Sequence, residues 1–331
     1  MRSTTRAVIA GIGTFVPEKV LTNADLEKMV DTTDEWIQSR TGIKERHILD
    51  DNLTTSDMAI EAARRALSQA DCAPADLDLI LVATVTGDYI FPSTACIVQT
   101  KLGASKCAAF DIGSSCSGFI AALSVGSQFI ETGRYRNILV IGADAITRLV
   151  DWQDRNVCVL FGDAASAVVL RPSESGRGIL SCYLRTDGSG VPALYQPAGG
   201  AKLPPSLETV TNRLHHIRMD GREVFKTATR AMIEAATEAT QMAGLKLEDL
   251  DLVVPHQANI RIIQASISRL GIPMEQVLIN IDRYGNTVAA SVGLALDEVL
   301  RAGRVHEDDH LLLVGFGAGL TWGGIVIRWG P

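Results

Sequence analysis

Two distant stretches of this chain carry almost the same residue pattern. Residues 60–81 begin Ile-Glu-Ala-Ala-Arg-Arg-Ala and end Asp-Leu-Asp-Leu-Ile-Leu, and residues 233–254 begin Ile-Glu-Ala-Ala-Thr-Glu-Ala and end Asp-Leu-Asp-Leu-Val-Val. Ile60 therefore corresponds to Ile233, and no gap is needed between the copies. A repeat with so long a period indicates two copies of one supersecondary unit related by a pseudo-twofold axis.

Each copy has the pattern of an Ala-rich helix, an apolar strand, a loop, a buried helix and a second strand. Helices that alternate with apolar strands predict layered α/β halves with mostly buried sheets. A chain of 331 residues is long enough for two such units. A polar stretch near residues 172–178 predicts the boundary, with an N-terminal half over 1–175 and a C-terminal half over 176–331. The Gly- and Pro-containing segment 187–211 predicts either a long surface excursion or a flap over a site.

Composition excludes several classes of protein. The net charge of −7 and the pI near 5.4 argue against general nucleic-acid binding. No apolar run is long enough to span a bilayer, and the N-terminal pattern does not fit a signal peptide. The six cysteines lack the spacing of a disulfide framework or a zinc site. These features predict a cytoplasmic protein that neither binds nucleic acid nor inserts into a membrane.

Cys116 follows a short apolar stretch and the small residues Gly113, Ser114 and Ser115, and it precedes a run that is apolar nearly all round. This pattern predicts a strand, a tight turn and a buried helix. A thiol at the N-terminus of a helix meets unpaired N–H groups and the helix dipole, which favour the thiolate. The pattern therefore predicts a nucleophilic cysteine. The alternative is a buried cysteine that packs as a small hydrophobic residue.

Two further side chains are placed by the repeat and by the strand pattern. The turn at Gly133 matches the turn at Gly303, and the spacing between these two glycines puts Cys116 in correspondence with Asn286. His256 follows the strand that ends at Pro255, at the strand end where open α/β sheets place functional groups. Asn286 also has the alternative of a helix N-cap, and His256 that of a hydrogen-bonded loop residue.

Cysteine, imidazole and amide side chains together supply a soft nucleophile, a donor or base, and a neutral donor. That set suits acyl transfer through a thioester with a stabilised oxyanion. The pattern His306-Glu307-x-x-His310 resembles a zinc-protease motif, but it follows Gly303 and precedes a strand, where no helix aligns the two imidazoles. No metal site is therefore predicted.

With these residues in view, the chain resembles the β-ketoacyl-acyl-carrier-protein synthase III family of the thiolase superfamily over nearly its whole length. The segments that carry the resemblance are Asp-Glu-Trp-Ile-Gln-Ser-Arg-Thr-Gly-Ile (34–43), Phe-Pro-Ser-Thr-Ala-Cys (91–96), Phe-Gly-Asp-Ala-Ala-Ser-Ala (161–167), Met-Asp-Gly-Arg-Glu-Val-Phe-Lys (219–226), Pro-His-Gln-Ala-Asn (255–259), Tyr-Gly-Asn-Thr (284–287) and Gly-Phe-Gly-Ala-Gly-Leu-Thr-Trp-Gly (315–323). The resemblance implies the thiolase fold, a five-layer αβαβα sandwich of two pseudo-duplicated halves.

The resemblance also implies a two-step condensation that initiates fatty-acid synthesis of the dissociated type. Cys116 takes an acyl group, in the leading hypothesis acetyl, from acyl-CoA; malonyl-acyl-carrier-protein then loses CO2, and its enolate attacks the acyl-cysteine. His256 and Asn286 would stabilise the enolate oxygen, and the backbone N–H groups of Cys116 and Ala318 the acyl oxyanion. Ala318 stands where relatives often have glycine, which is unfavourable if that position needs a positive φ. No cofactor or metal is implied.

Binding partners follow from the same resemblance. Trp36, Arg40 and Arg155 match positions that contact the CoA nucleotide, with core packing or solvated surface as the alternatives. Because carrier protein is acidic, a positive patch would steer it to the tunnel mouth. The candidates for that patch are Arg222, Lys226, Arg261 and Arg269. Phe91 matches a position at a homodimer interface, where it closes the acyl pocket of the neighbouring subunit.

Three other functions remain compatible with these residues. A relative in specialised metabolism would use the same side chains on another acyl donor or acceptor, and the length of the primer is equally open. A cysteine acyl hydrolase would use water in place of the carbon nucleophile, but it gives Asn286 no clear role. A catalytically silent acyl-binding protein would not need all three side chains.

Overall fold

The computed structural model describes residues 5–330 and contains two main β-sheets and eleven α-helices in that range. The strands are β1 (Arg6–Phe15), β2 (Val20–Thr22), β3 (Glu45–His47), β4 (Leu79–Ala83), β5 (Ala108–Ile112), β6 (Ile138–Asp144), β7 (Ala164–Ser173), β8 (Gly178–Thr186), β9 (Leu194–Tyr195), β10 (Arg218–Met219), β11 (Leu252–Pro255), β12 (His310–Gly317) and β13 (Thr321–Arg328). The helices are α1 (Asn23–Leu26), α2 (Asp34–Thr41), α3 (Thr55–Gln69), α4 (Thr94–Leu102), α5 (Gly118–Glu131), α6 (Arg155–Cys158), α7 (Leu207–Thr211), α8 (Gly221–Met242), α9 (Ile260–Leu270), α10 (Ile281–Tyr284) and α11 (Ser291–Arg301).

The two main sheets have the same strand order. The first runs β1-β7-β6-β4-β5, with β4 parallel to β5 and β6 and with β7 antiparallel to its neighbours. The second runs β8-β13-β12-β11, with one parallel pair, β11 with β12, and two antiparallel pairs. The position of β5 is taken in the second half by an isolated parallel bridge between Val253 and Val277. The duplication predicted from the repeat is therefore confirmed at the level of topology.

The Ala-rich helices α3 and α8 form because each has a capped start and a face of small apolar residues. Thr54 and Asp57 form a capping box before α3, and the carboxylate of Asp220 accepts from the first turn of α8. The small face of α3 lies close to β1, since a Cβ atom on Gly13 would lie 2.4 Å from the carbonyl oxygen of Ala62. Glycine in the strand allows this close packing.

Five layers follow one another through the molecule. Helices α3 and α4 cover the outer face of the first sheet, and α8 and α9 cover the second. Helices α5 and α11 lie between the sheets and contact strands of both. The buried cluster around these two helices contains side chains from both halves. The predicted five-layer arrangement is confirmed, and the division of the chain at residues 175 and 176 stays a prediction.

The structure corrects the predicted correspondence between Cys116 and Asn286. A 3₁₀ turn over Ser115–Ser117 precedes α5, and a 3₁₀ turn over Val288–Ala290 precedes α11, with the same spacing as between Ile60 and Ile233. Cys116 therefore corresponds to Ala289. The shorter spacing between Gly133 and Gly303 applies only after these helices, because α11 is three residues shorter than α5 (11 against 14).

The excursion predicted over 187–211 contains a 3₁₀ segment, the short strand β9 and helix α7. Strand β9 pairs with β10, so the excursion returns to the start of α8. The His306–His310 pattern begins in the turn after α11, and its last residue, His310, is the first residue of β12. None of the helices within residues 5–330 is long and apolar enough to cross a bilayer.

Candidate active site

Cys116, His256 and Asn286 line one cavity of about 1260 Å³. Cys116 lies in the 3₁₀ turn before α5, His256 directly after β11, and Asn286 two residues after α10. The first comes from the N-terminal half and the other two from the C-terminal half. The structure thus brings together three side chains that lie far apart in the sequence.

The Cys116 thiol is buried, and its electrostatics differ from the sequence-based expectation. Burial, with a further contribution from the nearby Asp144 carboxylate, raises the pKa of Cys116 to about 12. The prediction that the helix N-terminus would favour a resting thiolate is therefore wrong. Cys116 precedes the helix by two residues, and burial is the largest cause of its raised pKa, larger than the lowering by a backbone hydrogen bond. The resting site holds a neutral thiol.

His256 is also buried and neutral. Its backbone N–H donates to the Val314 carbonyl at 2.8 Å, which extends the pairing of β11 with β12 by one residue. Burial lowers the pKa of His256 to about 3, so the imidazole is uncharged at neutral pH. Neither ring nitrogen has a hydrogen-bond partner among residues 5–330. Buried polar groups are normally paired, so this imidazole is available to a bound ligand.

Gln257 holds the His256 loop in place, a role that sequence reasoning missed. Its side-chain Nε2 donates to the carbonyls of Pro255 and Leu278, at 2.9 and 3.1 Å. Its Oε1 accepts from the backbone N–H groups of Asn280 and Ile281. The fully bonded amide therefore joins the histidine loop to the segment that leads to Asn286. The signal available in the sequence was the glutamine directly after His256.

Asn286 is held by its backbone and by one side-chain atom. Its N–H donates to the Leu160 carbonyl at 2.8 Å, and its carbonyl accepts from Gly162 at 3.1 Å. Its Oδ1 accepts from Val288 N–H at 3.0 Å. The side chain therefore binds the first residue of the following 3₁₀ turn, but the N-cap of that turn is Thr287, which corrects the alternative interpretation of Asn286 as a helix N-cap. Because the oxygen is engaged, the amide Nδ2 is the group that a ligand in the cavity can meet.

The end of β12 lies against the 3₁₀ turn Ser115–Ser117, which contains Cys116. Gly317 lines the cavity, and a Cβ atom at this position would lie 2.7 Å from the Cys116 nitrogen. Ala318 itself does not line the cavity. Its φ is not positive, whereas Gly319 has a φ of 140°. Alanine at 318 therefore carries none of the backbone penalty considered for it.

The cavity mouth is rich in arginine. The Arg155 guanidinium lies 5.1 Å from the Trp36 ring centroid, and both side chains line the cavity together with Arg40. Arg218, which sequence reasoning missed, also lines it and pairs with Asp151 at 3.6 Å. A half-buried indole beside a guanidinium is an arrangement that can bind an aromatic, negatively charged ligand.

The four residues of the predicted carrier-protein patch divide into two groups. Arg222 and Arg261 line the cavity, and the Arg261 guanidinium lies 5.8 Å from the Phe225 ring centroid. Lys226 and Arg269 do not line it. Phe91 lies outside the cavity as well, on the loop between β4 and α4, and is 85% exposed.

Within residues 5–330 no group of three or more His, Cys, Asp or Glu side chains is arranged to hold a metal ion. The described cysteines are all free thiols. The cavity brings together a thiol, a neutral imidazole and an amide, next to backbone N–H groups.

Comparisons with known proteins agree with this arrangement. Residues 110–188 match the family model for 3-oxoacyl-[acyl-carrier-protein] synthase III, and residues 240–329 match the model for its C-terminal part. The chain is 57% identical over 323 residues to the beta-ketoacyl-[acyl-carrier-protein] synthase III of Caldanaerobacter subterraneus subsp. tengcongensis, with 98% of each chain covered. It is 52% identical to the enzyme of the same name from Symbiobacterium thermophilum, over 97% of this chain and 98% of the relative.

Solved structures give the same result. The crystal structure of 3-oxoacyl-[acyl-carrier-protein] synthase III from Aquifex aeolicus superposes with a TM-score of 0.91 and 47% identity. The match covers 98% of this chain and all of the other. The duplicated α/β fold and the single cavity that holds Cys116, His256 and Asn286 thus define a condensing enzyme with the thiolase fold. More narrowly, the chain belongs to the beta-ketoacyl-[acyl-carrier-protein] synthase III family, the acyl-transferring enzymes that initiate fatty-acid biosynthesis.

Proposed function

We propose that this enzyme condenses an acyl group from acyl-CoA, with acetyl as the expected primer, with malonyl-acyl-carrier-protein. The observation that carries the assignment is the shared cavity of Cys116, His256 and Asn286, in which the imidazole is neutral. Decarboxylation of a malonyl thioester places negative charge on the carbonyl oxygen, so the reaction needs neutral hydrogen-bond donors at that oxygen. It needs no strong base, because loss of CO2 forms the enolate without removal of a proton. The products are 3-ketoacyl-acyl-carrier-protein, CO2 and CoA.

In the first step, the Cys116 sulfur attacks the thioester carbonyl of acyl-CoA. The negative charge on the carbonyl oxygen is stabilised by the backbone N–H groups of Cys116 and Ala318. The tetrahedral intermediate collapses with cleavage of the bond to the CoA sulfur, and the thiol proton ends on CoA. Since the resting thiol is neutral, its proton leaves during the attack and passes to the departing CoA sulfur, so this step does not depend on His256.

In the second step, malonyl-acyl-carrier-protein replaces CoA in the cavity. Its carboxylate leaves as CO2, and the electron pair moves into the thioester to form an enolate. Imidazole N–H of His256 and amide Nδ2 of Asn286 donate to the enolate oxygen. The enolate carbon attacks the acyl-cysteine carbonyl, and Cys116 leaves as a thiolate that takes up one proton.

Both substrates carry phosphate, and the cavity mouth supports their binding. Trp36 and Arg155 are assigned to the CoA nucleotide by stacking, and Arg40 to its phosphates. Arg222, Lys226, Arg261 and Arg269 are assigned to the acidic carrier protein. The net charge of −7 makes a local positive patch necessary for steering such a partner.

We further assign the enzyme to a homodimer in the cytoplasm that needs neither metal nor cofactor. The loop around Phe91 supports the dimer, because Tyr89, Ile90 and Phe91 are 66%, 88% and 85% exposed. Three adjacent exposed apolar side chains are typical of an interface. Free cysteines support a reducing compartment.

Intact-protein mass spectrometry tests the proposal. The enzyme is exposed to acyl-CoA thioesters of different chain length and then to malonyl-acyl-carrier-protein, with peptide mapping of the adduct. We expect a stable acyl mass on Cys116 that is discharged only by the malonyl substrate, and no adduct on Cys116→Ala. His256→Ala and Asn286→Ala should still acylate but lose condensation by about 100-fold or more. An adduct lost to water alone would instead identify a hydrolase.

A further inference from the structure

The loop after Asn286 repeats the local backbone of the nucleophile turn, the 3₁₀ turn Ser115–Ser117 that carries the proposed nucleophile Cys116. Both 3₁₀ turns begin with a non-glycine residue of positive φ, Ser115 at 46° and Val288 at 50°. In each turn the backbone nitrogen of the next residue, Cys116 or Ala289, lies close to the end of a central strand of the opposite half. Such strained conformations are kept where the surroundings hold them in place.

The strand ends that meet these turns are also equivalent in the repeat. Gly317 is the last residue of β12 and lies against the Cys116 nitrogen. Asp144 is the last residue of β6, and it corresponds to Gly317 by the same spacing that relates Cys116 to Ala289. The Asp144 Oδ2 accepts from the Ala289 N–H at 3.1 Å. One turn therefore faces a bare backbone position and the other a carboxylate.

Asp144 is completely buried, and its second carboxylate oxygen, Oδ1, is also fully engaged in hydrogen bonds. Its Oδ1 accepts from Val85 N–H and the Thr86 hydroxyl, each at 2.8 Å, and from the Thr84 hydroxyl at 3.1 Å. Both oxygens are thus engaged, one within the N-terminal half and the other across to the turn of the C-terminal half. Neither step of the proposed mechanism uses the Asp144 carboxylate.

We propose that Asp144 is a positioning residue for Asn286, and that its carboxylate fills, in one half, the anion site that the substrate oxyanion uses in the other. The proposal rests on the proposed function, since it assigns Cys116 N–H to the oxyanion and Asn286 to the enolate. Gly317 leaves the Cys116 N–H accessible because it has no side chain. Asp144 fixes the turn at Ala289, and the neighbouring Val288 N–H in turn holds the Asn286 amide.

The substitution Asp144→Asn tests whether Asp144 affects Asn286, which acts in condensation, without affecting Cys116, which acts in acylation. An amide has one acceptor oxygen, so its NH2 group must face either the Ala289 N–H or the donors at Val85 and Thr86. A donor then opposes a donor, and the turn next to Asn286 loses its anchor. Acylation of Cys116 should not slow, because removing the Asp144 charge removes one cause of the raised thiol pKa. Condensation should fall about 10- to 100-fold, as expected for a misplaced catalytic group.

The experiment measures acylation by mass shift and condensation with malonyl-acyl-carrier-protein for Asp144→Asn, Asn286→Ala and the double variant. Because Asp144 acts through Asn286, the double variant should be no slower in condensation than Asn286→Ala alone. The matched control is Asp297→Asn, which removes a buried carboxylate that also links the halves, through Thr14 at 2.7 Å, but lies away from the turn. In this control variant, any loss of activity should affect acylation and condensation to the same extent.

Additive losses in the double variant, or equal losses of acylation and condensation, would overturn the role of Asp144. A failure of the proposed function is visible separately, as unchanged condensation in Asn286→Ala. If Asp144→Asn does not fold, Thr86→Val removes one hydrogen bond to Oδ1 and keeps the charge. It should give a smaller loss confined to condensation, and an unselective loss would contradict the proposal in the same way.

Discussion

At the scale of single residues, the site combines groups that burial keeps uncharged. Burial raises the pKa of Cys116 to about 12 and lowers the pKa of His256 to about 3. A thiolate–imidazolium pair would favour nucleophilic attack but would leave a charged imidazole next to the malonyl substrate. A neutral imidazole donates one N–H to the enolate oxygen and, unlike an imidazolium, has no strongly acidic proton that could quench the enolate. The electrostatics therefore suit the second step of the reaction.

Gly317 provides a test of the crowded backbone around Cys116. In Gly317→Ala the new Cβ atom would lie 2.7 Å from the Cys116 nitrogen, so the nucleophile turn must move. We expect the single-turnover rate of acylation to fall by about tenfold or more. The control is Gly315→Ala, whose new methyl group would find its nearest atom, on Ile120, at 3.4 Å. Equal rates for the two variants would show that Gly317 does not limit access to that N–H.

His256 should make stability depend on pH. Between pH 6.5 and about 3 the unfolded chain binds a proton at this imidazole that the folded chain does not, so acid lowers the free energy of unfolding. The loss between pH 7 and pH 5 is about 2 kcal/mol for this group. In His256→Asn that contribution is absent. Urea unfolding at both pH values should therefore show a smaller loss in the variant, and equal losses would contradict the low pKa.

At the scale of elements, equivalent parts of the two halves have acquired different tasks. The turn before α5 carries the nucleophile, whereas the turn before α11 is bound internally by Asp144. Strand β12 ends in glycine and β6 in aspartate, which decides whether the facing N–H is free or occupied. In the proposed mechanism, the duplicated fold thus provides two similar anion sites, of which one holds the Asp144 carboxylate and the other the substrate oxyanion.

Helix α9 offers a matched pair of charges for the carrier-protein surface. Arg261 lies in its first turn and lines the cavity, and Arg269 lies in its last turn, about 12 Å away along the axis. Arg261→Glu should raise KM for malonyl-acyl-carrier-protein by about tenfold at low salt and affect acylation by CoA much less. Arg269→Glu should have a smaller effect. Steady-state kinetics of both steps check this, and a loss in both steps alike would indicate damage to the fold.

At the scale of the whole molecule, the exposed loop around Phe91 is difficult to explain in an isolated subunit. The cavity opens among residues of both halves, but this loop lies outside it. Exposed apolar side chains in one short segment favour association, and two-fold dimers are the most frequent form of it. The acyl pocket of one subunit would then depend on a side chain of the other.

Phe91→Asp should therefore weaken the dimer. A buried charge at the interface is costly, and we expect the variant to sediment as a monomer at micromolar concentration while the native chain sediments as a dimer. The control is Leu207→Asp on α7, because Leu207 is as exposed as Phe91, both at 85%. Analytical ultracentrifugation measures both. A monomeric native chain, dissociation by Leu207→Asp, or an intact dimer in Phe91→Asp would contradict the assignment of this interface.

By itself the sequence determined the duplication and the layered fold, because a residue repeat, hydrophobic periodicity and turn residues are local signals. It also pointed to Cys116, His256 and Asn286, which the structure brings into one cavity. It misjudged the residue that corresponds to Cys116, since the missing turn of α11 shifts the alignment only after the helix. Tertiary structure decided the charge states of the thiol and the imidazole and the roles of Gln257, Gly317 and Asp144. These depend on burial and on contacts between residues far apart in the chain, which no local pattern encodes.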